Sequence, residues 1–303
     1  QMVKNLVLEN ISVGFKLPQG VFYAVDDVSL SLPGGNFTAI IGESGCGKSV
    51  LGQAILNILP SGVVKKGSVL YNGEQVEKIL SAFGIIPQNP SESLNPVRKI
   101  GKQMQDILAV HNIADSDNSY KKQCLHLFGL QEADRVLAAY PHELSGGMLQ
   151  RVLCAMAVSS KPEWILADEP TKGLDEQVGS VVRKNLLTIK QDLHLSMLII
   201  THDIALAQEV CDDVLVMYAG QVLEHNADIW HKPLHPYTKG FLKALPKNGL
   251  QVIPGKAPVP GESFTGCKFA ARCPYCTTRC KEEKPAMQQV GNAEVRCFLY
   301  AEG

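Results

Sequence analysis

The stretch Gly42-Glu43-Ser44-Gly45-Cys46-Gly47-Lys48-Ser49 decides how this chain is read. It fits G-x-x-x-x-G-K-[ST] at every position and follows the apolar run Phe37–Ile41, which has the character of a strand. Glycines in such a loop let consecutive backbone N–H groups converge on one anion. Lys48 can reach the β- and γ-phosphates of a nucleotide, and the Ser49 hydroxyl can hold Mg²⁺. Residues 48–59 are helix-compatible and would set the positive end of a helix beneath the phosphates. On its own the stretch predicts binding of a nucleoside triphosphate and nothing further, against the plainer alternative of a glycine-rich turn.

The rest of the chain narrows the class. Its 303 residues suit one large domain, or a large one with a small one, and two units are expected. With 29 basic and 30 acidic residues the formal charge is −1, so no global basic field attracts nucleic acid. Apolar runs such as residues 195–200 fall far short of the ~20 residues that cross a bilayer, and no secretory signal opens the chain; a soluble, cytoplasmic protein is expected. Gln1 ahead of Met2 reads as a cloning remnant. Of nine cysteines, Cys46, Cys124, Cys154 and Cys211 are scattered and read as small buried hydrophobes, while Cys267, Cys273, Cys276, Cys280 and Cys297 crowd the end of the chain. In a non-secreted protein that cluster points to metal or redox chemistry before disulfides.

Residues 3–12 and 25–32 carry strand signals, and residues 69–71 before Asn72-Gly73 predict a hairpin element. Between about 90 and 160 the character changes: residues 99–110, 119–128 and 147–159 show helical spacing, which predicts an inserted helical subdomain. Strands return at 164–167, 196–201 and 214–217 with helices between them, the alternation of a parallel α/β sheet. Proline and glycine make 248–262 a linker between a domain over 2–247 and a cysteine-rich extension over 248–303. There is no internal repeat.

Trp164-Ile165-Leu166-Ala167-Asp168-Glu169 is an apolar strand ending in two carboxylates, the form of a Walker B motif. Asp168 would hold Mg²⁺ through its shell, and Glu169 can point to a water attacking the γ-phosphate. About 20 residues earlier, Leu144-Ser145-Gly146-Gly147-Met148, followed by Gln150-Arg151, makes a second anion-binding helix start, where one nucleotide needs only one. This segment resembles the signature motif of the ATP-binding cassette (ABC) family, and the other landmarks fall in the family's order. Gln88 after residues 83–87 resembles the Q-loop glutamine, Gly173-Leu174-Asp175 the D-loop, and His202 the H-loop histidine. Two departures stand out: Met148 replaces the commoner glutamine, and Lys172-Gly173 is unusual before Leu174-Asp175.

The resemblance implies a RecA-like parallel-sheet core with an antiparallel β subdomain and a helical subdomain. It also implies two cassettes packed head to tail, so that each ATP lies between one subunit's Lys48 loop and the other's Ser145, Gly146 and Gly147. Lys48 and Mg²⁺ would then stabilise the transition state, Glu169 polarise the water, His202 contact the γ-phosphate, and Gln88 sense Mg²⁺ and couple closure to a membrane partner. Phe15, after Asn10-Ile11-Ser12, matches the aromatic residue that stacks on adenine in the family, with Tyr23 as its rival.

His142-Glu143-Leu144-Ser145-Gly146-Gly147-Met148, Ser93-Leu94-Asn95-Pro96, His235-Pro236-Tyr237-Thr238, Gly266-Cys267-Lys268-Phe269 and Arg272-Cys273-Pro274 all resemble the branch that imports peptides, nickel and related chelates. The segment between Lys48 and Gln88 is shorter than usual there. The branch implies a second, related cassette, two permeases and an external binding protein, with this chain at the cytoplasmic face of the membrane. Cys267, Cys273, Cys280 and Cys297 fall where the branch carries four cysteines, which suit a [4Fe–4S] cluster or, alternatively, Zn²⁺; Cys276 is the extra thiol, which forms C-x-x-C with Cys273 and either replaces one of the four as a ligand or lies beside them. A soluble cassette protein acting on ribosomes or DNA would carry two cassettes or a basic surface, and a metal-sensing regulator would use the cysteine tail on a partner.

Overall fold

The computed structural model describes residues 4–18, 20–75, 79–174, 176–245, 251–259 and 262–301. The chain forms two compact units. A phosphate-loop unit comprises Asn5–Leu32, Thr38–Val76 and Cys211–Gly303, and a helical unit comprises Gln1–Lys4, Pro33–Phe37 and Glu77–Val210.

In the phosphate-loop unit β1 (Leu6–Leu17) and β2 (Gly20–Leu32) form a long antiparallel pair. Register shifts between Leu8 and Val13 keep Leu6, Leu8, Ile11 and Val13 on the buried side although their spacing is not strictly two. After β3 (Phe37–Ile41), all of whose residues are buried, the phosphate loop leads into α1 (Lys48–Leu56). Leu51, Ala54 and Ile55 are the buried face of that helix. The predicted hairpin is present: β4 (Val64–Tyr71) pairs with β1, and the Asn72-Gly73 turn returns the chain into β5 (Glu74–Gln75).

The helical unit opens on β6 (Phe83–Ile86) and continues through α2 (Pro90–Ser93), α3 (Ile100–Val110), α4 (Ser119–Leu127), α5 (Ala133–Ala138) and α6 (Gly146–Ser159). In α3, Ile100, Met104 and Leu108 recur every fourth residue and are fully buried. Then come β7 (Trp164–Asp168), α7 (Glu176–Thr188), β8 (Ser196–Ile200) and α8 (Ile204–Val210). The three strands run parallel in the order β8-β7-β6. Trp164 is fully buried, and its indole N–H donates to the Lys4 carbonyl at 2.9 Å.

The chain returns to the phosphate-loop unit with β9 (Asp213–Tyr218), parallel to β3, and β10 (Gln221–Asn226), antiparallel to β9. Next are α9 (Pro236–Lys243), α10 (Thr278–Glu282), β11 (Gln288–Val290) and β12 (Ala293–Val295). The last two strands make a hairpin that pairs with β10, giving the order β11-β12-β10-β9-β3. The helices and strands expected near 99–110, 119–128, 147–159, 164–167, 196–201 and 214–217 are all present, whereas β10 and the terminal hairpin carried no expectation. Among the described residues no helix is long and apolar enough to cross a membrane.

Candidate nucleotide site

The phosphate loop is shaped by its own backbone. Gly42 and Gly47 have φ of 150° and 103°, and a Cβ on them would stand 2.1 Å from the carbonyl oxygens of Met217 and Ala24 respectively. Gly47 precedes α1, and neither a side-chain cap nor an acidic first-turn residue occupies that helix start. A helix start of that kind is the form that receives an anion. Lys48 is buried, and its ammonium donates to the carbonyls of Gly42 at 2.9 Å and Glu43 at 3.1 Å. Cys46 is buried, which pushes its thiol pKa up, so it acts as a filler of the loop interior. Ser44 and Gly45 are exposed, and Ser49 is half-buried.

Beside Gly45 lies a cavity of about 330 Å³ whose aromatic lining comes from Phe22, Tyr23 and Phe264. Phe15 stands opposite Phe22 in the β1–β2 register and does not line it. Of the two aromatic candidates for stacking on a base, Tyr23 is therefore the one at the cavity, and Lys66 lies 5.4 Å from its ring.

In the helical unit the expected residues gather at the carboxyl ends of parallel strands. Gln88, exposed, follows β6; Asp168 ends β7; His202 follows β8. Ligands of open α/β sheets bind at such strand ends. Glu169 turns the chain sharply, with φ of 48° and its N–H donating to the Ile200 carbonyl at 2.7 Å. Its Oε2 lies 2.6 Å from His202 Nδ1 and also accepts the His202 backbone N–H at 3.3 Å. His202 keeps 57% of its side chain exposed and Glu169 only 12%, so the histidine edge faces solvent while the carboxylate is held. Thr171 Oγ1 donates to Asp203 Oδ2 at 3.1 Å, which fastens the segment after Glu169 to the one after β8.

Ser145 caps α6 by accepting the Met148 N–H at 3.3 Å. Gly146 and Gly147 follow it, and a Cβ on either would meet no atom within 4 Å. Among the described residues no close contact requires these two glycines. Met148 stands where the family commonly has glutamine, and Arg151 Nε donates to the Gly147 carbonyl at 3.1 Å. Asp175 lies outside the described residues.

Cys267, Cys273, Cys280 and Cys297 line one cavity of about 180 Å³ with His235 and Phe269, and Cys276 is not among its lining residues. Burial, reinforced by the neighbouring thiols, pushes Cys267 up to about 11 and raises Cys273 and Cys297 as well. Among the described residues no three His, Cys, Asp or Glu side chains are placed to hold one metal ion. A single Zn²⁺ needs its sulfurs about 2.3 Å from one point, and the thiols surround a space instead. In number and kind they suit a four-thiolate cluster.

Sequence comparison matches residues 25–172 to the model of the ABC transporter family and residues 223–280 to that of the oligopeptide/dipeptide transporter C-terminal region. The chain is 34% identical to the oligopeptide transport ATP-binding protein OppD of Haemophilus influenzae, over 98% of each chain. It is 36% identical to the dipeptide transport ATP-binding protein DppD of Escherichia coli, over 95% of this chain and 94% of that one. Among solved structures, the dimeric ATP-binding cassette MJ0796 bound to ADP and Pi covers 73% of this chain with a TM-score of 0.62 at 24% identity, and 97% of its own length is matched. Another, cbiO1 from Clostridium perfringens, covers 74% with a TM-score of 0.61 at 25% identity, over 89% of its length.

Proposed function

Because the chain belongs to the ABC transporter ATPase family, in its oligopeptide and dipeptide branch, we propose that it is the subunit whose ATP hydrolysis drives import of peptides across a membrane. The observation that carries hydrolysis is the 2.6 Å pairing of Glu169 with His202 directly after Asp168. Phosphoryl transfer asks chiefly for positioning and charge stabilisation. Lys48 and the N–H groups at the start of α1 bind the phosphates, Ser49 and Asp168 hold Mg²⁺, and Gln88 reports on that ion. Glu169 orients the attacking water, with His202 fixing the carboxylate through Nδ1 and leaving its other edge for the γ-phosphate. Tyr23 takes the stacking role in preference to Phe15, on the strength of the cavity it lines.

The open space around Gly146 and Gly147 supports a head-to-tail cassette pair, in which these glycines admit the phosphates of the partner's nucleotide. That partner is a second cassette related to this one. Two permeases and an external binding protein complete the importer, and the chain works at the cytoplasmic face of the membrane. The names of the relatives favour peptides over nickel or a metal chelate. A domain over 2–247 would carry the ATPase, and the segment over 248–303 a regulatory role.

Glu169→Gln is expected to keep ATP binding and to lower turnover by about 10²–10⁴-fold, the range supplied by a positioned base. Near-normal hydrolysis by that variant sinks the assignment. A [4Fe–4S] cluster on Cys267, Cys273, Cys280 and Cys297 is supported by their common cavity. When bound it would cross-link the extension and bring one-electron redox chemistry. Protein purified without oxygen should then absorb visible light and contain iron, and a colourless, iron-free protein would end that reading.

A further inference from the structure

Arg272 belongs to the cysteine-rich segment, beside Cys273, yet its guanidinium reaches a residue 229 positions earlier in the phosphate loop. Nη1 donates to both carboxylate oxygens of Glu43, at 3.1 and 3.2 Å, and to the Tyr218 hydroxyl at 3.3 Å. Nε donates to the Pro254 carbonyl at 3.1 Å. The guanidinium carbon lies 5.7 Å from the Tyr218 ring centre and 6.0 Å from that of Phe269. The Arg272 side chain is only 8% exposed and that of Glu43 26%. The backbone of Glu43 is held as well, because its N–H donates to the Tyr237 hydroxyl at 3.1 Å.

In the loop motif Glu43 occupies a position open to any residue, and a carboxylate there is adverse. The loop must receive a polyphosphate, and a negative charge one residue from Gly42, against a poorly screening protein wall, repels it. Arg272 cancels that charge, and Tyr237 fixes the peptide that carries it.

We propose that Arg272 is a positioning residue of the nucleotide site: it neutralises Glu43 and holds the phosphate loop for ATP, so that nucleotide affinity depends on the cysteine-rich segment. This rests on the ATPase reading above.

The test is ATP affinity of the full chain, measured with a fluorescent analogue displaced by ATP, for wild type, Arg272→Met, Arg272→Lys, Glu43→Gln and the Arg272→Met/Glu43→Gln double variant. Methionine keeps the stem's packing and removes the charge. Arg272→Met is expected to weaken ATP binding about tenfold at low salt, less at high salt, where screening shortens the reach of the exposed carboxylate. Arg272→Lys and Glu43→Gln should stay within about threefold of wild type, and the double variant should return to that range. A merely structural arginine would leave the double variant as weak as Arg272→Met, and that result overturns the proposal. So does an Arg272→Met affinity equal to wild type. If Arg272→Met does not fold, Glu43→Gln decides: a loss of affinity beyond about threefold shows that the carboxylate itself is needed and overturns the inference. Wild type that binds no ATP would instead sink the ATPase reading, a result distinct from equal binding by all variants.

Discussion

Replacing Gly47 by alanine tests whether the phosphate loop is held by close backbone approach. At φ of 103° the residue lies outside the left-handed well that other residues tolerate, which costs about 1–3 kcal/mol. The new Cβ would sit 2.1 Å from the Ala24 carbonyl oxygen, a backbone atom fixed in β2, so loop or strand must move by about an ångström. Overpacking of that kind adds about 1–3 kcal/mol. Gly45 provides the control: its φ of 78° brings strain, but a Cβ there meets nothing within 4 Å. Gly47→Ala should therefore be less stable than Gly45→Ala by about 1–3 kcal/mol, the clash alone. Urea unfolding followed by circular dichroism reads this as a midpoint about 1 M lower, at unchanged slope. Equal midpoints for the two variants would refute the close approach of Gly47 to Ala24.

Buried His235 gives a pH dependence. It accepts the Tyr237 N–H on Nδ1 at 2.9 Å, and burial, with Lys239 adding to it, lowers its pKa from 6.5 to about 3. A histidine kept neutral in the fold contributes stability that is complete above pH 6.5 and is lost toward pH 3. Stability should fall by up to about 1.4 kcal/mol per pH unit in that window. His235→Asn, which keeps an acceptor and cannot titrate, should flatten the curve in urea titrations, and an unchanged slope would count against it. Fully buried Glu224 accepts N–H groups from Asn226 Nδ2, Leu234 and His235 at 2.9, 2.9 and 2.8 Å. Glu224→Ala strands three donors and should cost about 3–5 kcal/mol in thermal unfolding, with Glu224→Gln losing less. Equal stability of both variants would contradict this.

The parts legible in the sequence were those in which one local pattern decides the structure. The loop motif, the fully buried Trp164-Ile165-Leu166-Ala167 run and the fourfold spacing of Ile100, Met104 and Leu108 each announce their element. Gln221-Val222-Leu223-Glu224-His225-Asn226 did not read as a strand, because its polar residues are satisfied by partners remote in sequence: Glu224 by Leu234 and His235, His225 by Asp213 and Glu294. The Arg272–Glu43 contact joins two motifs that were each noticed alone, and only folding brings them together. Which of Phe15 and Tyr23 stands at the cavity beside Gly45 depends on strand register, which bulges in β1 make unreadable from spacing. The cysteine spacing disclosed a shared neighbourhood and not the distances within it.

The terminal hairpin has a consequence for anyone shortening this chain. β12 pairs with β10 at Glu224 and His225, and the Arg296 N–H donates to the Leu223 carbonyl at 2.8 Å. A chain cut at residue 248 would bare the main-chain groups along β10, an open template on which a second molecule can zip. Truncation would thus yield sticky, self-associating material whose lost activity says nothing about the cysteines. Point substitutions that leave the hairpin in place are the route to that segment's role.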